Sequence, residues 1–270
     1  MNTLAAVVQM TSGGDVGHNL ERASELVAQA ARRGAELAVL PENFAILADN
    51  ESAKFAVAES VPGEGPILST MRGLAKKHNI ALVLGGMPEK SARDSHVHNT
   101  AVYLDQAGEV RAIYRKIHLF DVSIPDGADY RESGTVAPGQ DAVVADTPWG
   151  GLGLSVCYDV RFPELYRALS AKGARMIAIP AAFTLHTGRD HWHVLLRARA
   201  IENLSFVLAA AQYGRHNPKR VTYGHSLIVD PWGQILAEVG DAEGVAVAEL
   251  DFDYQDKVRR ELPSLGHRRL

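Results

Sequence analysis

The stretch Gly-Leu-Gly-Leu-Ser-Val-Cys-Tyr-Asp-Val-Arg-Phe-Pro-Glu, residues 151–164, decides the fold class of this chain. Residues 152–156 are apolar and read as a buried strand. From Pro163 the pattern reads as a helix, with proline in the first turn, where its missing N–H costs nothing. Strand, sharp turn and helix in so few residues point to an α/β protein. Cys157 is the only cysteine among 270 residues, and it falls on that turn. Such an elbow exposes a nucleophile and directs backbone N–H groups at whatever it attacks. The plain alternative is a small buried thiol that only packs.

Outward from this segment, strands and helices alternate. Residues 4–8 and 37–40 read as strands on either side of a helix over 19–33. That helix places Leu20, Ala23, Leu26, Val27 and Ala30 on one face and stops at Gly34. A helix over 67–77 leads to a strand over 80–84, and residues 102–104 and 110–114 form a hairpin around Asp105-Gln-Ala-Gly108. The second half repeats the theme, with strands over 142–145, 152–156, 176–179 and 206–210 and helices over 163–172 and 190–203. A last hairpin joins 226–229 to 234–237 through Pro231-Trp-Gly233. No linker or low-complexity tract interrupts this order, so one domain over residues 1–270 is expected.

Two further segments carry chemistry. In Leu37-Ala-Val-Leu-Pro-Glu-Asn-Phe44 an apolar strand breaks at Pro41, and Glu42 emerges at its carboxyl end, where open α/β sheets place their ligand sites. In Tyr114-Arg-Lys-Ile-His-Leu-Phe-Asp121, Lys116 follows a strand and is flanked by Ile117, Leu119 and Phe120. A surface carboxylate and a structural ion-pair lysine are the ordinary readings of these two. Together with the Cys157 segment, however, they resemble the nitrilase superfamily of carbon–nitrogen hydrolases. The order Glu, Lys, Cys agrees, and the resemblance runs from Val7-Val-Gln-Met10 to Val229-Asp-Pro-Trp-Gly233. It implies an α-β-β-α sandwich.

Composition narrows the class. Hydrophobic residues make up 46% of the chain, enough for a sizeable core. A net charge of −4 and a pI near 6.3 leave no basic footprint for nucleic acid. No apolar run approaches the ~20 residues that span a bilayer. The first ten residues lack a basic start and read as a strand, so a cytoplasmic location is expected. One cysteine excludes internal disulfides and multi-cysteine metal sites. His191 and His193 are two apart on a helix and do not share a face, so no metal is expected there. Neither metal nor organic cofactor is expected at all.

The resemblance assigns roles. Cys157 is the nucleophile, Glu42 the general base and acid, and Lys116 the cation that favours thiolate and stabilises an oxyanion. The Tyr158 backbone N–H is the second oxyanion donor. Glu132, in Tyr130-Arg-Glu-Ser-Gly-Thr-Val-Ala-Pro-Gly139, matches the family's second active-site glutamate, expected to hold Lys116 in place. Its surroundings, residues 121–139, read as a long loop with little regular structure. Arg161, four residues beyond Cys157, is the candidate to bind a substrate carboxylate; pairing with Asp159 or Glu164 is the competing reading. His96 and His98 are assigned to a hairpin edge.

Residues 187–203, 210–220 and 223–226 resemble the branch that holds omega-amidases and deaminated glutathione amidases, and look closer to the second. The implied small-molecule substrate is the α-keto analogue of glutathione, cleaved to 2-oxoglutarate and cysteinylglycine. The amide of α-ketoglutaramate, other aliphatic amides or nitriles, and a non-catalytic interaction protein that kept the fold remain open. The resemblance also implies a homodimer, and residues 251–270, rich in Arg and Leu, read as a tail that wraps a partner, or else a frayed terminus.

Overall fold

The computed structural model describes residues 2–123 and 129–269. In the first half, β1 (Thr3–Gln9), α1 (Val16–Arg32), β2 (Leu37–Val39), α2 (Ala53–Val57), α3 (Pro66–His78), β3 (Ala81–Lys90), β4 (Val97–Leu104) and β5 (Val110–Arg115) follow one another. A two-stranded ribbon, β6 (Asp121–Ser123) with β7 (Asp129–Arg131), comes next. The second half runs β8 (Val144–Thr147), β9 (Gly150–Leu154), α4 (Pro163–Ala171), β10 (Ala174–Ala178), α5 (Leu185–Asn203) and β11 (Phe206–Ala209). Then come β12 (Tyr213–Arg215), β13 (Val221–Tyr223), β14 (Leu227–Val229), β15 (Ile235–Glu238), β16 (Gly244–Leu250) and α6 (Phe252–Glu261).

Two six-stranded sheets result, ordered β16-β1-β2-β3-β4-β5 and β15-β14-β11-β10-β9-β8. In each, parallel strands form the middle (β1, β2 and β3; β9, β10 and β11) and antiparallel strands form the edges. The apolar runs of the sequence explain the layering, because strands buried on both faces carry no polar alternation. Ala5, Val7, Leu37, Val39, Ala81 and Val83 point inward and pack against the second sheet. Their neighbours Ala6, Val8, Ala38, Leu82 and Leu84 point outward onto α1 and α3. With α4 and α5 on the far face of the second sheet, the layers are α-β-β-α, as the resemblance implies.

Helix starts are set by caps that periodicity does not reveal. Asp15 accepts a hydrogen bond from the His18 N–H, so α1 begins at Val16, three residues earlier than its apolar face implies. Thr184 does the same for Thr187, and α5 begins at Leu185 instead of 190. The buried carboxylate of Glu59 accepts the N–H groups of Ile67 and Leu68 and caps α3 from outside the helix.

Two expectations need correction. Residues 252–261 are not a frayed terminus. They form α6, which buries Phe252, Gln255 and Val258 against its own chain, and Gln255 Nε2 donates to the carbonyls of Arg175 (2.8 Å) and Leu204 (2.9 Å). Leu270 lies outside the described residues. The stretch 121–139 is also more ordered than a plain loop, since it holds the β6–β7 ribbon and a helical turn, Glu132–Gly134; residues 124–128 lie outside the described set. His98 does sit on β4, with Nδ1 2.9 Å from the Ala137 carbonyl, while His96 precedes the strand. Among the described residues no helix is long and apolar enough to cross a membrane.

Candidate active site

Glu42 leaves the carboxyl end of β2 through Pro41, and Asn43 takes φ +59°, which turns the chain back over the sheet. The Glu42 carboxylate is thereby buried. Its Oε1 accepts from Lys116 Nζ (3.0 Å) and Asn99 Nδ2 (2.9 Å), and its Oε2 accepts from the Ala182 N–H (3.0 Å). The packing here tolerates no side chain at Gly86, whose φ is +60°. A Cβ there would lie 2.5 Å from Asn99 Oδ1 and 2.9 Å from Glu42 Cγ.

Lys116 follows β5 directly and is only 2% exposed. It donates to both oxygens of Glu132, at 3.0 and 2.8 Å, as well as to Glu42. Glu132 Oε2 also accepts the Phe120 N–H at 2.7 Å. Asn99 Nδ2 bridges the two carboxylates, reaching Glu132 Oε1 at 3.1 Å. Burial works against the Lys116 ammonium, but Glu132 and Glu42 outweigh it and raise the pKa, so the group stays cationic. Burial works to raise the Glu132 carboxyl, yet the Lys116 charge overrides it and holds that pKa down at about 2.

Cys157 ends the strand–turn unit with φ +48°, a conformation that costs a non-glycine residue roughly 1–3 kcal/mol and is sustained by its surroundings. Its N–H donates to the Pro180 carbonyl at 2.7 Å, which fixes the elbow. Burial, and then the Glu42 charge, push the thiol well above its ordinary pKa against the pull of Lys116. Burial is the larger cause, and the Glu42 carboxylate adds to it.

Behind the elbow a third carboxylate is wholly buried. Asp159 accepts from the Val156 N–H (2.8 Å), Tyr114 OH (2.7 Å) and the His118 N–H (3.1 Å), and its Oδ1 lies 2.7 Å from His118 Nδ1. It thus ties the segment bearing Lys116 to the segment bearing Cys157. The pairing of Asp159 with Arg161 weighed from sequence is therefore not formed, nor is one with Glu164 among the described residues. The Arg161 guanidinium instead rests 5.2 Å from the Phe183 ring centroid and 5.9 Å from that of Tyr158.

Glu42, Lys116, Glu132, Cys157, Tyr158 and Arg161 all line one cavity of about 560 Å³, in the range of small-molecule sites. Every sequence-derived candidate is therefore gathered in one place. Asn99, Asp159 and Ala182 were not legible. Asn99 is a lone polar residue in a strand, and Asp159 and Ala182 act through contacts from distant parts of the chain. His191 and His193 do not share a site, but His193 meets His225 and Glu238, with potential ligand atoms all within 4.8 Å. Hydrogen bonds of 2.9 and 2.7 Å to Glu238 Oε1 already engage these three groups, which lie outside the cavity.

The profile of the family Carbon-nitrogen hydrolase matches residues 4–260. A deaminated glutathione amidase of Synechocystis sp. is 48% identical over 269 residues, 98% of this chain and 97% of that protein. The human deaminated glutathione amidase is 44% identical over 270 residues, 98% of this chain and 82% of its own length. In three dimensions the chain is similar to the crystal structure of the C. elegans NitFhit protein, with a TM-score of 0.93 at 42% identity. That match covers 99% of this chain and 65% of the worm protein. Saccharomyces cerevisiae Nit3, a member of branch 10 of the nitrilase superfamily, gives 0.88 at 32% identity, over 97% of this chain and 94% of Nit3.

Proposed function

This chain belongs to the carbon–nitrogen hydrolase family, and from that premise we propose that it hydrolyses the amide of deaminated glutathione through a thioester on Cys157. The observation that carries the reading is the buried Lys116 bonded to both Glu42 and Glu132 beside a thiol on a strained elbow. The thiol is neutral at rest, so its activation and its attack are coupled. Glu42 takes the proton as Sγ bonds to the amide carbonyl carbon. The oxygen gains negative charge, met by the Lys116 ammonium and the Tyr158 N–H; the Cys157 N–H is already committed to Pro180. Glu42 passes its proton to the departing nitrogen, the C–N bond breaks, and cysteinylglycine leaves. Water then gives a proton to Glu42 and its oxygen to the thioester carbon. Thiol and 2-oxoglutarate are released. Glu132 positions Lys116. The chemistry requires no metal and no organic cofactor.

Relatives that carry the deaminated glutathione amidase name at 44–48% identity support the substrate. So do the cationic side chains of the cavity, which suit a carboxylate-bearing amide. A cytoplasmic site fits a nucleophile that must remain a free thiol. The proposal extends to one domain and a homodimer. Val194 and Ile201 on α5 are exposed, as are Trp232, Ile235 and Leu236 on the β14–β15 hairpin, and Arg197 on α5 is bonded to Gly233 of that hairpin. A second copy would cover this apolar face.

Steady-state kinetics on deaminated glutathione, glutathione, α-ketoglutaramate and simple aliphatic amides tests the reading. The keto substrate should exceed its amino counterpart in kcat/KM, and intact-mass measurement should find an acyl adduct on Cys157. Equal values for deaminated glutathione and glutathione overturn the substrate; no adduct with any amide overturns the chemistry.

A further inference from the structure

Arg220 lies at the tip of the β12–β13 ribbon and lines the same cavity as Cys157. The ribbon tip is firmly held. Asn217 Oδ1 accepts the N–H groups of Lys219 (3.0 Å) and Arg220 (2.8 Å), and the His216 N–H donates to the Arg220 carbonyl at 3.0 Å. His216 itself is wedged between the Ser12 carbonyl (2.8 Å) and Thr222 Oγ1 (2.6 Å). The Arg220 guanidinium sits 5.4 Å from the centroid of the Tyr130 ring, and its Nη2 donates to the Ala182 carbonyl at 3.2 Å. Ala182 is the residue whose N–H holds Glu42, so the guanidinium is anchored to the backbone of the reaction centre.

One feature of this arginine is unresolved by the protein itself. Its Nε is buried and has no hydrogen-bond partner among the described residues. A buried donor left unmade is costly, and such groups are rare. Arg131, another arginine of the cavity wall, is engaged by Asp129 at 3.4 Å. Arg220, like Arg161, meets no carboxylate among the described residues. A planar fork that is anchored at one nitrogen, backed by an aromatic ring and without a carboxylate partner suits a planar, bidentate anion.

We propose that Arg220 forms a carboxylate subsite of its own, separate from Arg161, through the guanidinium hydrogens that the Ala182 carbonyl leaves free. The proposal rests on the amidase reading above. The keto analogue of glutathione carries two carboxylates, one on the acyl half beside the keto group and one on the departing glycine; α-ketoglutaramate carries only the first. Either carboxylate meets the chemistry of the subsite, and the two substrates tell them apart.

The test compares wild type, Arg220→Gln and Arg220→Lys on deaminated glutathione, α-ketoglutaramate and an uncharged aliphatic amide, with thermal melts to confirm folding. The readout is the ratio of kcat/KM for each carboxylated substrate to that for the neutral amide. In Arg220→Gln this ratio falls by roughly 10–100-fold, as expected for a lost hydrogen bond to a charged group. Arg220→Lys recovers only part of it, because an ammonium keeps the charge and loses the fork. A fall on both carboxylated substrates places the acyl carboxylate on Arg220, and a fall on deaminated glutathione alone places the glycine carboxylate there. An unchanged ratio for both substrates overturns the subsite. If the wild-type enzyme cleaves none of the three, the amidase reading is what fails. The subsite is then judged by calorimetry of 2-oxoglutarate and of cysteinylglycine on Cys157→Ala, with and without Arg220→Gln, where affinities that do not weaken overturn it.

Discussion

The Glu42–Lys116–Glu132 cluster and the knot around Asp159 are both buried and polar, and the same stretch of chain, residues 114–118, contributes to each. They are satisfied in opposite ways. Asp159 receives two donors on each oxygen and meets no lysine or arginine among the described residues; its charge is spread over backbone N–H groups, a phenol and an imidazole. That arrangement leaves nothing unmade and nothing for a ligand to bind. The Lys116 cluster has one cation for two carboxylates, borders a cavity, and faces a thiol whose ionisation is discouraged by burial and by the Glu42 charge. A saturated network gives rigidity, whereas an unbalanced one beside open space gives reactivity.

The largest effect tests the reactive side directly. Cys157→Ala should lose turnover to background while the melting temperature and circular dichroism stay close to wild type, because the change removes one sulfur from a site with φ already fixed by its neighbours. Cys157→Ser should be nearly inactive as well, since a hydroxyl is far harder to deprotonate. Substantial residual rate in either would put this residue on the structural side of the comparison.

Next in size, Lys116→Ala should lower kcat by roughly 10²-fold or more, the range for losing an oxyanion donor. The variant also leaves two buried carboxylates without their cation, so melts must accompany the kinetics. Near-normal kcat would make Lys116 a structural partner of the same kind as the donors to Asp159.

On the other side, Asp159→Asn should cost roughly 1–3 kcal/mol of stability, measured by denaturant unfolding. An amide NH₂ would replace one oxygen and face groups that already donate, Val156 N–H and Tyr114 OH on one side or His118 on the other. Unchanged stability would show the knot to be dispensable.

The same contrast explains what was legible in the sequence. Glu42 and Cys157 each follow an apolar strand, and Lys116 follows a strand and is flanked by Ile117, Leu119 and Phe120, so the end of a strand marks the place where a side chain enters the site. The central strands and the β4–β5 and β14–β15 hairpins were readable for the same reason. Asn99, Asp159 and Arg220 have no such local mark. Their significance comes from partners 33 to 57 residues away for Asn99, 41 and 45 away for Asp159 and 38 away for Arg220. The α6 helix carries no clear periodic mark, because it buries only Phe252, Gln255 and Val258, and one of these is polar. Gln255 is buried because it satisfies two carbonyls, which no hydropathy pattern encodes.

A smaller effect appears with acid. The Glu132 carboxyl titrates near 2 in the folded protein and near its ordinary value of 4.5 when unfolded. Since the folded value is the lower, its contribution to stability is complete above about 4.5 and is lost as the pH falls from there towards 2. Glu132→Gln should remove that part of the acid limb, seen as a shallower loss of near-ultraviolet circular dichroism in this window. An unchanged limb would mean that the Lys116–Glu132 pair does not contribute to folding.

The smallest effect sharpens the comparison most. Tyr114 OH donates to Asp159 at 2.7 Å, and burial together with the Asp159 charge pushes the phenol far above its ordinary pKa. The group is therefore an O–H donor at every pH where the protein is folded. Tyr114→Phe removes that one donor and keeps the ring, leaving Asp159 with the Val156 N–H and both His118 groups. The expected loss is about 1–2 kcal/mol, constant from pH 6 to pH 9 because no titration of the phenol is involved. Turnover per folded molecule should change by less than about threefold, since three donors still hold the elbow in register. A fall in kcat of tenfold or more with unchanged stability would show that the Asp159 knot tunes the chemistry of Cys157 instead of merely fixing its place.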